Sequence, residues 1–155
     1  MNNLISYTGE YHIKVINTVT RDVVRHDVIK NMVTDLALDQ LINVLQGDAS
    51  DMEVAYFALG DSTTAVAGSQ TTLGNEIFRT AFLTKANTGT GQVTSSTYII
   101  DTEVVGTIEE MGIFCGPSAT ATADTGNMLS RILWHHVKTS LEEIQVTRVD
   151  TISRT

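Results

Sequence analysis

The chain has 155 residues, a mass of 16.8 kDa, a net charge of −8 and a single cysteine. This length suits one domain, which can bury about 68–70% of the surface that its unfolded chain exposes. One cysteine excludes an internal disulfide framework, and ten scattered basic residues cannot supply the positive patch that a nucleic-acid backbone requires. No segment reaches the ~20 apolar residues of a membrane span, and the N-terminus lacks a basic, apolar leader. We therefore expect a protein made in soluble form, with neither nucleic acid nor membrane as its partner.

The first third of the chain predicts a β-hairpin followed by one helix. Residues 10–17 alternate polar and apolar side chains, and a second strand over residues 23–29 follows a turn. Thr34 can cap a helix near residues 34–46, and Gly47 suits the left-handed position after its end. An apolar stripe at helical spacing is formed by Leu38, Leu41, Ile42 and Leu45. We expect this stripe to pack on the core and the helix to plug one end of the fold.

The rest of the chain predicts strands separated by clusters of Gly, Asp, Asn, Ser and Thr. The predicted strands are residues 53–59, 75–86, 92–101, 106–115, 128–137 and 141–152. Because no helix lies between them to make parallel crossovers, the sheets should be antiparallel or mixed. We predict a mainly β fold, an antiparallel β-sandwich (jelly-roll-like) with one α-helix, as a single domain over residues 1–155. Within it, residues 1–30 form an N-terminal β-hairpin or arm and residues 31–152 the main module.

Two loops are rich in Ala, Ser, Thr and Gly and contain almost no large side chains, namely residues 61–71 and 116–126. Loops of this length without structure of their own are uncommon in compact domains unless they are functional or disordered. We expect them to become ordered only against a neighbouring subunit, which makes them candidate interface loops. The candidate residues are Asp61, Ser62, Gly116, Pro117 and Gly126. The alternative is that they are ordinary mobile surface loops.

The carboxylate pair Glu109-Glu110 does not suit acid-base catalysis, because adjacent strand residues point to opposite sides of a sheet. A carboxylate held in such a strand needs a cationic partner, since burying a lone charge is costly. We predict a structural ion pair between Glu110 and either Arg79 or Arg131, which would lock neighbouring strands in register.

The aromatic and histidine residues leave two interpretations open. Trp134 has the parity of the apolar residues in its strand, which favours a core position or a subunit-interface anchor. Exposure of Trp134 would instead favour stacking on sugar rings, together with Tyr56 or Tyr98. The doublet His135-His136 cannot easily bind one metal, because consecutive strand residues diverge.

No nucleophile, base and orienting group can be assembled from the sequence, so we predict a non-enzyme with no catalytic residue, cofactor or metal site. Cys115 is expected to be a buried apolar residue. One alternative remains, in which Asp48, Asp51 and Asp61 bind a calcium ion between loops. Asp61 is better explained as a turn residue that caps its own backbone.

Four short segments occur in an order that carries further information. The first is Leu59-Gly60-Asp61 at the end of a strand, and the second runs Thr-Leu-x-x-Glu-x-x-Arg over residues 72–79. The third is Glu-x-Gly-Ile-Phe over residues 110–114, and the fourth runs Gly-x-Met-Leu-x-Arg over residues 126–131. As an ordered set spanning roughly residues 30–152, they resemble a module of structural proteins in tailed-bacteriophage particles.

The resemblance implies a virion component found in tails, baseplates, collars or capsid decorations, made in the host cytoplasm and incorporated into the particle. It implies a homo-oligomer, a trimer or a ring, in contact with other virion proteins. It also implies that Glu110, two residues before the glycine, is the recurrent acidic residue of the pair. The alternative function is a carbohydrate-binding module that recognises a host-surface glycan.

Overall fold

The protein is described by a computed structural model over residues 5–48 and 52–154. Ten strands and one helix occur in these ranges. The strands are β1 (Ile5–Asn17), β2 (Val23–Lys30), β3 (Met32–Val33), β4 (Val54–Gly60), β5 (Glu76–Ala81), β6 (Thr84–Gly89), β7 (Gln92–Ile99), β8 (Gly106–Cys115), β9 (Asn127–Lys138) and β10 (Glu142–Arg154), and the helix is α1 (Asp35–Gln46).

The strands form two antiparallel sheets of five strands each. Sheet A has the order β2-β1-β10-β7-β6, and sheet B has the order β3-β9-β8-β4-β5. The core lies between them, with Tyr11, Ile13 and Val15 of β1 facing Met111 and Ile113 of β8. Alternation of buried and exposed side chains along β1 is what an antiparallel strand with one covered face requires. The predicted antiparallel β-sandwich with one helix is confirmed.

The N-terminal hairpin of β1 and β2 is an integral part of sheet A, with β2 at its edge. β1 pairs with β10 over its whole length, from Ile5 opposite Arg154 to Asn17 opposite Glu142, and with β2 on its other side. Its inward residues belong to the main core. The described part of residues 1–30 is therefore integral to sheet A and does not extend away as an arm.

The single strand predicted over residues 75–86 is wrong, because this stretch forms β5 in sheet B and β6 in sheet A. The chain changes sheets between Phe82, whose amide donates to the Ala55 carbonyl of β4 (3.1 Å), and Leu83, whose amide donates to the Ser96 carbonyl of β7 (2.9 Å). Strands that switch sheets make the corners of sandwiches. Local alternation does not reveal such a switch, since both halves have strand character.

The ends of α1 lie where the sequence predicts them. The Thr34 hydroxyl accepts a hydrogen bond from the Ala37 amide (3.2 Å), and Gly47 has a left-handed φ of 85°. The expectation that the leucine stripe packs on the core is wrong: Leu38, Ile42 and Leu45 are 48%, 50% and 78% exposed. The helix packs against β9 and buries Ala37. Leu41 of the stripe is partly buried beside the sandwich, whereas Leu38, Ile42 and Leu45 are turned away from it.

Candidate functional site

The outer face of sheet B carries a buried ion pair between Glu110 of β8 and Arg131 of β9. The Arg131 Nε donates to Glu110 Oε2 at 2.6 Å, and both side chains are fully buried. This confirms the predicted structural pair with Arg131. The adjacent Glu109 has a different environment, since it contacts His135, whose side chain is 66% exposed.

The Glu110 carboxylate holds both ends of the loop between β4 and β5, residues 61–75, which we call the β4–β5 loop. Its oxygens accept hydrogen bonds from the amides of Asn75 (2.9 Å), Gly74 (3.0 Å) and Ser62 (3.4 Å). Hydrogen bonds from N–H donors to a carboxylate are about twice as strong as those between neutral groups. The Glu110 carboxylate therefore accepts hydrogen bonds from both ends of the loop and from Arg131.

The Arg131 guanidinium holds the middle of the same loop. It donates to the Thr64 carbonyl (2.8 Å), the Ala65 carbonyl (3.3 Å) and the Gln70 side-chain oxygen (2.9 Å). The fixed fork of donors in arginine suits this task, since it can bind a carboxylate and several carbonyls at once. The pair thus ties the loop backbone to the sheet.

A second buried ion pair joins Glu76 and Arg79 on β5. The contact is bidentate, with distances of 2.7 and 2.8 Å, and each side chain is only 2% exposed. The predicted alternative of an Arg79 pair with Glu110 is wrong. Residues three apart in a regular strand point to opposite faces of the sheet. The pairing of β5 with β4 is irregular, because its register shifts between Leu59 and Gly60. This irregularity lets the side chains of Glu76 and Arg79 lie on the same face.

This second pair holds the loop between β8 and β9, residues 116–126, which we call the β8–β9 loop. Arg79 Nη1 donates to the carbonyls of Thr125 (2.6 Å) and Thr120 (3.2 Å), and the Asp124 amide donates to Glu76 (3.2 Å). The Arg79 guanidinium also lies 4.1 Å from the ring centroid of Phe114, a cation–π contact. Each loop therefore has its own buried pair.

The expectation that these loops need a neighbouring subunit for their order is wrong, because both are fixed by contacts within one chain.

The candidate loop residues contribute to these contacts to different degrees. Asp61 accepts from the Asn75 amide side chain (2.6 Å), and Ser62 binds Glu110 as described. Gly116 is buried with its amide on the Glu53 carbonyl (2.9 Å), Gly126 has a left-handed φ of 86°, and Pro117 is exposed.

A small apolar cluster fills the space between the loops and sheet B. Leu73 of the β4–β5 loop packs there with Ala58, Phe114 and Met128, and Ala119 of the β8–β9 loop adjoins them. Gly112 makes room for this contact, since a Cβ at that position would lie 2.8 Å from Leu73 Cδ2. The Glu-x-Gly spacing thus places an anchoring carboxylate and a gap for the loop leucine on one face.

The three aromatic candidates do not share a surface. Trp134 is 3% exposed, with its indole N–H donating to Asp27 (2.7 Å) and Arg25 covering its ring at 4.8 Å. Tyr56 is partly buried beside the small apolar cluster on sheet B, whereas Tyr98 is 43% exposed on sheet A. The core interpretation of Trp134 is confirmed, and so is the burial of Cys115.

A further polar cluster inside the sandwich escaped the sequence analysis. The Arg148 side chain, fully buried, donates to Asp150 Oδ1 at 2.6 and 2.9 Å and to Ser130 (3.2 Å). The hydroxyl of Tyr7 donates to the same Asp150 oxygen (2.6 Å), and Tyr11 shares a hydrogen bond with Ser130 (2.7 Å). The alternation of β10 places Arg148 at an inward position, which was the one available signal.

This cluster predicts loss of stability in alkali. Burial raises the pKa of Tyr11 to about 12. The unfolded chain releases that phenolic proton near pH 10, so the free energy of unfolding is unaffected below that pH and falls as the pH rises towards 12. Urea unfolding between pH 9 and pH 12 should show this decline, with a smaller slope for Tyr11→Phe. The control Tyr98→Phe, altered at an exposed site, should keep the wild-type slope, and an equal slope in all three proteins would contradict the assignment.

Within residues 5–48 and 52–154, no group of three or more His, Cys, Asp or Glu side chains is arranged to hold an ion. Of the three candidate calcium ligands, Asp61 binds Asn75, Asp48 follows the end of α1, and Asp51 lies outside the described residues. No helix in the described part of the chain has the length and apolar character needed to cross a bilayer.

A scan against protein-family models and searches of curated proteins and of solved structures found no match.

Proposed function

We propose that this chain is a structural subunit of a tailed-bacteriophage particle, made in the host cytoplasm and incorporated into the virion. It acts through contacts with copies of itself and with other virion proteins, as a compact subunit of a tail, collar or capsid decoration. It needs no catalytic residue, cofactor or metal for this task.

One observation supports the proposal most strongly: the four segments that carry the resemblance meet in a single layer. Gly60, Leu73, Arg79, Glu110 and Arg131 each come from one of these segments, and all of them contact the loops on the outer face of sheet B. A Cβ on Gly60 would lie 2.4 Å from Glu110 Oε1, so even this glycine belongs to the same arrangement. The four segments therefore form one cooperating unit, which supports interpreting them as parts of a single module.

The contacts within this layer also suit a structural subunit of a particle. Both pairs fix loop backbones instead of presenting reactive groups. Apart from Asp61 and Asp124, the side chains that the loops offer at the surface are small and uncharged. Small side chains permit close backbone approach, and loops that are already ordered lose less entropy on binding. Preformed loops of this kind are suited to contacts between subunits.

The alternative of a carbohydrate-binding module receives less support, since Trp134 is covered and only Tyr98 of the three aromatic candidates is exposed. Native mass by light scattering, with electron microscopy of the same sample, separates the two functions. We expect a closed oligomer, and genes for other virion proteins beside this one. A monomer at every concentration that binds a component of a glycan array would overturn the proposal in favour of the module.

A further inference from the structure

Helix α1 presents an apolar ridge to solvent, which we define as Leu38, Ile42 and Leu45. Leu45 is the most exposed of the three at 78%. The residues share one side of the helix, because they are spaced by four and three positions. A helix with such a stripe normally buries it, and here the sandwich of the same chain does not.

A cavity of about 450 Å³ lies directly beside this ridge. Its walls come from both sheets and from the helix, and they are mainly apolar: Tyr7, Leu41, Val54, Val93, Leu129 and Ile152. Leu41 belongs to the same stripe, so ridge and cavity form one continuous surface. An apolar cavity of about 150 Å³ accepts one benzene ring, so this one has room for about three apolar side chains, the number that the ridge provides.

The charges around the cavity are balanced. Lys85 and Glu53 at its rim pair with each other at 2.5 Å, and Asp150 is neutralised by Arg148. This balance matters in a chain of net charge −8, because two copies repel one another wherever their acidic surfaces meet. The cavity rim thus presents no unpaired charge to the apolar ridge of a second copy.

We propose that this surface is the contact between two copies of the chain, with the ridge of each copy inserted into the cavity of the other. The inference deepens the proposed function and rests on it, since it names the partner and the surface of assembly. Ridge and cavity adjoin on one molecule, so the contact is isologous and follows a two-fold axis. Assemblies built through it contain an even number of chains.

The test compares Leu45→Glu on the ridge and Val93→Glu at the cavity rim with the control Val105→Glu. Val93 and Val105 are exposed to 41% and 59%, so an added carboxylate at any of the three positions should leave folding intact. Light scattering over a wide concentration range should give an even-numbered wild-type assembly. Loss of a hot-spot contact at the centre of an interface costs about 2 kcal/mol or more, so Leu45→Glu and Val93→Glu should each raise the dissociation constant at least about thirtyfold. The control should leave it unchanged.

Cross-linking tests the geometry without depending on the charged variants. Leu45→Cys and Val93→Cys are prepared separately and mixed under oxidising conditions, while the native Cys115 is buried. A disulfide between the two different variants is expected, and it should form faster than either homodimeric disulfide.

The outcomes separate this inference from the proposed function. A wild-type monomer at all concentrations would overturn both. An assembly that survives Leu45→Glu and Val93→Glu, has an odd number of chains or forms no mixed disulfide would overturn the inference alone. Equal dissociation of Val105→Glu, or a fluorescent apolar dye that fills the cavity of the intact assembly, would also overturn it.

Discussion

Replacement of Glu110 by alanine is expected to lower the free energy of unfolding by about 3–5 kcal/mol, the usual cost of removing one partner from a buried ion pair. The variant leaves the Arg131 guanidinium buried without its counter-charge, at a site where both side chains are fully covered. It also removes the acceptor for the amides of Ser62, Gly74 and Asn75. Urea unfolding measures the loss, as a shift of the midpoint.

Glu109→Ala is the matched control, since Glu109 is the neighbouring residue and its partner, His135, is largely exposed. It should change the free energy of unfolding by no more than about 1 kcal/mol, because an ion pair with one exposed partner is screened by solvent. If Glu110→Ala unfolds at the wild-type urea concentration, Glu110 does not hold the β4–β5 loop in solution.

Arg79→Ala should have a comparable effect, again about 3–5 kcal/mol, but it should release a different loop. It leaves Glu76 buried without its counter-charge and removes the donors to the Thr120 and Thr125 carbonyls. A protease of broad specificity should therefore cut the variant first in the β8–β9 loop. The β4–β5 loop should stay resistant, because Glu110 and Arg131 are intact.

Arg21→Ala serves as its control, because the Arg21 ion pair with Glu143 lies at the surface, where such pairs contribute at most about 1 kcal/mol. Early cleavage in both loops of Arg79→Ala would mean that the two pairs act as one unit. An unchanged cleavage pattern would mean that the β8–β9 loop does not depend on Arg79.

The sequence predicted the features that depend on local rules. Alternation identified most strands, the missing crossover helices predicted antiparallel sheets, and the Thr34 and Gly47 signals placed the ends of α1. A buried carboxylate needs a cationic partner, and this rule predicted the ion pair of Glu110 with an arginine. These rules act over a few residues and do not require knowledge of the tertiary arrangement.

The failures have a common cause in tertiary structure. A stripe at helical spacing shows that α1 has an apolar side, but it does not show whether the sandwich covers that side. The corner after Phe82 and the register shift opposite Glu76 both depend on which strands become neighbours. The loops were judged by their small side chains, whereas their order comes from backbone groups bound to distant arginine and glutamate residues.

Amide hydrogen exchange in the wild-type monomer measures directly whether the buried pairs order the loops. If the buried pairs hold the loops, the amides of Gly74 and Asn75, which donate to Glu110, should be protected, and so should that of Asp124, which donates to Glu76. The amide of Thr63, an exposed residue of the β4–β5 loop, provides an internal reference for fast exchange. Exchange of all three loop amides at the rate of an unstructured peptide would instead show that the buried pairs do not order the loops in a single chain.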